Sequence, residues 1–254
     1  MNPLGTLHRT VTAVALLALA VPSLPVDAQA DARLTVGKIK DGRHRPASGD
    51  PTGELLIFPS WEGKEVEAAK GFQLTVTSAR DETGKPLMEQ PWTTAWETMN
   101  VSPNLWIRLR NPERGASTVT VTGSIALYIP GRDPDADVKV PDALARPGKA
   151  FVSSGLKDAK IDVYLASRDQ LSESTIVLYG LADQMARVRG VRVLRPDGTE
   201  LEQASSSTGS SGEEKVIEIA FSEPIPKGAA IVFRLQTEKS VLTVPFELKD
   251  VPLP

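Results

Sequence analysis

The chain has 254 residues, 41% of them hydrophobic and 5% aromatic, which is enough apolar content for packed cores. Its 29 Lys and Arg against 32 Asp and Glu leave a net charge of −3, a balance with no general attraction to nucleic acid or to an anionic membrane. With no cysteine, it has no disulfide, no thiolate chemistry and no cysteine–zinc site, and no lipid anchor at a cleavage-site cysteine is expected.

Residues 1–30 have the three-part layout of a secretory signal peptide. Arg9 supplies the positive start, and Val11 to Val21 is apolar apart from Thr12. Pro22, Ser23 and Pro25 break that run, and Ala28-Gln29-Ala30 gives the small-x-small pattern, so cleavage after Ala30 is expected. The apolar run is too short for a hydrocarbon core that needs roughly 20 residues. Removing the segment takes away Arg9 and Asp27, so the net charge is unchanged. The expectation is a periplasmic or secreted protein with no membrane span.

Residues 31–53 read as a flexible N-terminal segment with one strand candidate, Leu34–Ile39, before the aperiodic stretch Asp41–Gly53. Residues 54–130 read as a first β-sandwich. Its strands are expected at Glu54–Phe58, Phe72–Thr77, Leu105–Leu109 and Ser117–Ile129, which are rich in Val, Ile and Thr. Met88–Met99 is the one stretch where a turn or two of helix is expected. Residues 131–147, rich in proline and aspartate, read as a linker. A second sandwich is expected over 148–254, with strands at Ile161–Leu165, Thr175–Tyr179, Val188–Leu194, Val216–Phe221, Ala230–Leu235 and Val241–Phe246. Ser205–Gly212 reads as a solvated hairpin loop. Strands at roughly ten-residue spacing with turn signals between them predict an all-β fold of two tandem immunoglobulin-like antiparallel sandwiches.

An internal repeat supports the duplication. Val76–Leu87 matches Val191–Leu201, each a strand, an Arg, an acidic glycine-containing turn and a return to Leu. Pro112–Ala116 matches Ile225–Ala229, and Tyr128-Ile-Pro130 matches Thr243-Val-Pro245, all at an offset of about 114 residues. With the closing segment Val244-Pro-Phe-Glu-Leu-Lys-Asp-Val-Pro-Leu-Pro254, this pattern resembles a group of exported bacterial proteins that share a PFxxxDVPLP-like ending and immunoglobulin-like strands. The resemblance implies fold and export. Those relatives have no established activity, so it assigns no catalytic residue.

Histidine content removes several enzyme classes. Once His8 leaves with the signal, only His44 remains, which supplies neither a Ser-His-Asp site nor a histidine-ligated zinc. A glycosidase needs two carboxyls about 5–10 Å apart across a cleft. Glu97, beside Trp92 and Trp96, is the one place such a site is expected. Trp92 and Trp96 are four residues apart, so a helical turn puts both rings on one face for stacking on a sugar, with Trp61 as a third member. Burial between the sheets is the competing expectation for all three.

Asp133, Asp135, Asp137 and Asp142 have the alternate carboxylates of a calcium loop. An EF-hand would need Gly and Glu where this chain has Val138 and Leu144, which leaves an interdomain calcium site or a solvated acidic linker. Arg187, Arg189, Arg192 and Arg195 cluster around Gly190, and a bulge there would gather them on one face for an acidic ligand.

The sequence thus predicts an exported, non-enzymatic binding or scaffold protein that takes a protein or glycan partner through sandwich loops or a strand edge. The alternatives are a carbohydrate-binding module using Trp92 and Trp96, and a glycoside-active enzyme with a carboxylate pair.

Overall fold

Alternating burial drives the architecture. In the strand Gly71–Asp81, Phe72, Leu74, Val76 and Ala79 are buried while the residues between them face outward, the period-2 signature of a sheet with one covered face. The computed structural model describes residues 31–44, 52–99, 105–167 and 172–254. The expected signal peptide lies outside them. The described chain is all-β and antiparallel. Among these residues no helix is long and apolar enough to cross a membrane.

The elements, in order, are β1 (Arg33–His44), β2 (Thr52–Glu62), α1 (Lys64–Ala68), β3 (Gly71–Asp81), β4 (Trp92–Thr93), β5 (Glu97–Thr98), β6 (Ile107–Leu109) and β7 (Thr118–Tyr128). They continue with β8 (Asp137–Val140), α2 (Ser154–Asp158), β9 (Tyr164–Leu165), β10 (Thr175–Leu181), α3 (Ala182–Met185), β11 (Val188–Leu194), β12 (Gln203–Ser211), β13 (Glu214–Phe221), β14 (Ala230–Leu235) and β15 (Val241–Pro252). Four sheets result, ordered β1-β2-β6, β15-β7-β3-β4, β11-β14-β8 and β12-β13-β10-β9, with β5 also on β3.

Two hydrophobic cores form inside the compact unit Asp31–Pro254. The first lies between the first two sheets. Leu55, Ile57, Ile107 and Leu109 meet Phe72, Leu74, Val121 and Leu127 there, all buried. The second lies between the other two, where Ile176, Leu178 and Ile219 meet Val193, Ile231 and Phe233. Facing apolar layers of this kind are how antiparallel sheets pack as a sandwich.

The two cores repeat one connectivity. A strand, a one-turn helix and a second strand occur as β2-α1-β3 and as β10-α3-β11. β2 pairs with β6 as β10 pairs with β13, and β3 pairs with β7 as β11 pairs with β14. The matched turns close alike. Leu87 N–H donates to Ala79 C=O at 2.9 Å, and Leu201 N–H to Val193 C=O at 2.8 Å. Gly84 and Gly198 hold φ at +86° and +87°, a conformation that costs glycine little and other residues much.

Several expected elements differ. Residues 31–53 contain a twelve-residue strand, β1, paired to β2 through His44 and Thr52. Met88–Met99 is extended rather than helical, because β4 and β5 bond to β3 and Thr94 N–H donates to Leu74 C=O at 2.9 Å. The 131–147 segment supplies β8, which pairs with β14. Ser205–Gly212 is not a loop up to its turn. It belongs to β12, paired to β13 from Gln203 to Ser211.

The closing segment departs most. β15 pairs with β7, and Leu248 and Val251 enter the first core, not the second. Thr243-Val-Pro245 and Tyr128-Ile-Pro130 therefore lie on adjacent strands instead of at equivalent positions. β15 occupies beside β7 the place that β8 occupies beside β14. Gly123 fits this arrangement, since a Cβ there would collide with the Thr75 carbonyl oxygen and lie 2.7 Å from the ring of Phe246 on β15.

Candidate functional site

β12 is the edge of its sheet, and its sequence QASSSTGSS contains neither charge nor proline. All nine of its residues are exposed. The remaining edges of the described sheets are short or defended. β4, β5, β6, β8 and β9 have four residues or fewer. β1, β11 and β15 carry Lys38 and Lys40, Arg189 and Arg192, and Pro245 with Lys249 and Asp250 respectively. Edge charges and prolines block strand addition. β12 has none of these, and its small side chains leave the outward N–H and C=O groups accessible.

The tryptophans are not assembled into one platform. Trp61 packs edge-on against Phe72 with ring centroids 5.1 Å apart, so it fills space at the first core. Trp92 also leans on that core. It lines a shallow groove with Trp106, Glu97 and Arg108, where Trp106 is 45% exposed. Trp96 lies elsewhere, its ring 5.0 Å from the guanidinium carbon of Arg189. Extended backbone over Met88–Met99 separates what a helix would have juxtaposed. Among the described residues Glu97 is the only carboxylate lining the groove, so no glycosidase-like pair forms there. Trp106 was invisible as a candidate because it sits inside an ordinary strand pattern, where alternation predicts only that it faces away from Leu105 and Ile107.

The four aspartates do not converge either. Asp133 is buried and accepts hydrogen bonds from Asp135 N–H at 3.0 Å and Thr237 Oγ1 at 2.6 Å. The Thr237 bond is the main cause holding its carboxyl below the ordinary aspartate range. Asp137 accepts from Arg234 Nε and Nη2 at 2.8 and 2.9 Å and from Arg192 Nη2 at 2.7 Å. Asp142 is exposed and adopts φ +45°. Among the described residues no group of three or more acidic or histidine side chains is placed to hold a metal; Asp133 caps a turn and Asp137 is an ion-pair hub.

The arginines divide. A register shift between Val188 and Gly190 puts Arg189 and Arg192 on the wall of a cleft of about 370 Å³. Arg187 instead donates to Ala159 C=O at 2.8 Å, and Arg195 donates to Thr199 Oγ1, Glu200 C=O and Glu223. Tyr128 and Lys70, from the first core's side, complete the cleft with β12, β13 and Arg234. Burial pushes the Tyr128 hydroxyl above its ordinary pKa, and burial lowers that of Arg189.

The fold and these surfaces define an antiparallel all-β protein whose described features are an open strand edge, an aromatic groove and a basic cleft. Comparison with protein-family models, with curated proteins and with solved structures finds no match.

Proposed function

We propose that the chain is an exported, non-enzymatic binding or scaffold protein of two immunoglobulin-like sandwiches, resident in the periplasm or outside the cell, which takes a partner strand along β12. The observation that carries this reading is the nine-residue, uncharged, proline-free edge. Strand addition draws affinity from main-chain hydrogen bonds and needs no side-chain pocket. An edge of Ser, Thr and Gly suits that role. It is too polar to aggregate through apolar contact, and its small side chains do not cover the backbone. β12 is anchored along its whole length by β13, so the template is preorganised and the added strand pays most of the ordering cost.

A photo-reactive residue at Ser210 tests the reading in cells that export the protein. A discrete cross-linked partner is expected, and Ser205→Lys with Ser207→Lys should reduce its yield at least tenfold. These side chains are exposed, so the melting temperature should stay the same. A cross-link that persists in the charged variant, or none at all at this edge, rules out augmentation on β12.

A further inference from the structure

The basic cleft has features that strand addition does not use. Among the described residues five cationic side chains line it, Lys70, Arg189, Arg192, Lys215 and Arg234, and no carboxylate lines it with them. Asp137 offsets Arg234 and one nitrogen of Arg192, and Glu200 reaches the other terminal nitrogen of Arg192 at 3.4 Å. Lys70, Arg189 and Lys215 have no carboxylate partner among the described residues. The cleft therefore keeps an excess of positive charge inside a chain whose net charge is negative.

Unmet hydrogen-bonding capacity points the same way. Arg189 Nη2, Arg192 Nε and the Tyr128 hydroxyl are buried without a partner, and all three residues line this one cleft. A buried polar atom left unpaired is destabilising, more so when charged, so three such atoms at one place mark where an acceptor belongs. Arg189 is also held in position. Its Nε donates to Gln236 Oε1 at 2.6 Å, and its guanidinium carbon lies 5.0 Å from the Trp96 ring and 5.7 Å from that of Tyr128. A planar fork held beside two rings in a residue that lines the cleft is suited to oxyanions.

We infer that this cleft binds a monosaccharide-sized anion, its oxyanion group taken by Arg189, Arg192 and Tyr128 and its hydroxylated body by the opposite wall. About 370 Å³ is too large for a bare phosphate and lies at the small end of ligand pockets. The opposite wall, from β12 and β13, sets Gln203, Ser206 and Thr208, donors and acceptors suited to hydroxyl groups, beside Ile217, Ile219 and the cationic Lys215. Carboxylate and phosphate satisfy the same donors, so the charged group has two chemical sources.

The test is a titration of the mature protein at low salt, read by calorimetry and by tryptophan emission. Glucuronate, glucose 6-phosphate, glucose and inorganic phosphate are the separate probes. One or both acidic sugars should bind saturably, weaken with added salt and shift the emission through Trp96, a shift lost in Trp96→Phe. Glucose and inorganic phosphate should bind at least tenfold more weakly. Arg189→Gln, and separately Lys70→Gln with Lys215→Gln, should each lower the affinity at least tenfold. Lys70 is exposed and Lys215 only half-buried, so the double variant should keep the fold if Arg189→Gln does not. Glucuronate against glucose 6-phosphate separates the carboxylate from the phosphate source. No saturable binding by either acidic sugar, equal binding by glucose or by phosphate alone, or affinity unchanged in the double lysine variant overturns the inference. None of these outcomes depends on whether β12 takes a partner strand.

Discussion

Asp137 stands among alternating aspartates and carries no sequence mark that separates it from a solvated acidic residue. In the fold it binds two arginines from different strands, Arg192 of β11 and Arg234 of β14. The bidentate bond from Arg234 is the main cause holding its carboxyl below the ordinary aspartate range. A depressed folded pKa contributes stability that is present above the unfolded value, about 3.9, and is lost as pH falls through the folded one. Asp137 is solvent-exposed, so Asp137→Asn should cost about 0.5–1 kcal/mol near neutrality as both guanidinium groups lose their ionic acceptor. The gap from wild type should close as pH falls below about 4. Urea denaturation between pH 2.5 and 7 measures it, and a pH-independent gap would assign Asp137 a purely steric role. Asp81 has the same sign. Its burial raises the pKa, but acceptor bonds from the Thr83 hydroxyl and from the backbone of Glu113, Lys85 and Thr83 outweigh that and lower it. Neither hub was legible from the sequence, since spacing shows which residue types are near and not which distant strand supplies their partners.

Among the elements, most strands were legible because burial follows side-chain alternation. Val188–Leu194 and Ala230–Leu235 read as strands and form β11 and β14. The exceptions share one cause, structure set by a neighbour and not by local pattern. β12 has no apolar face to read, and its strand conformation comes from main-chain bonds to β13. The segment Met88–Met99 has helix-compatible spacing but is pulled extended by β3. β15 has a clear strand pattern, yet nothing local says that it joins β7. Phe246 lies over Gly123, directly opposite across the ladder, a close fit that only this register allows without a Cβ in the way. Gly123→Val should displace that ring and press on the Thr75 carbonyl, an overpacking cost of about 1–3 kcal/mol. Hydrogen exchange should then show the amides of Leu242–Leu248 losing protection before those of β3. Unchanged protection along β15 would mean that its register is set elsewhere, at Leu248 and Val251.

For the molecule as a whole, the return of β15 makes the first core depend on both ends of the described chain, while the second is assembled from the middle. The four tryptophans lie between residues 61 and 106, in the part of the chain that builds the first core, so their emission reports chiefly on that core, with Trp96 also sensing Arg189. Truncation after Lys239 removes β15, with Leu248 and Val251 from that core, and exposes the outer edge of β7. The expected result is red-shifted tryptophan emission and loss of the cooperative tryptophan transition, although all the residues deleted are C-terminal. Phe233→Ala is the complementary perturbation. Phe233 is fully buried in the second core and packs on Phe151 with ring centroids 5.4 Å apart. Its removal should cost that core about 3–5 kcal/mol. If the cores melt separately, the circular-dichroism transition of Phe233→Ala should split and the tryptophan transition should hold its midpoint. A tryptophan midpoint that falls together with the circular-dichroism midpoint would show one cooperative unit, coupled through the Arg189, Tyr128 and Trp96 contacts. In that case a ligand in the basic cleft would stabilise both cores at once, because the cleft draws its lining from each side.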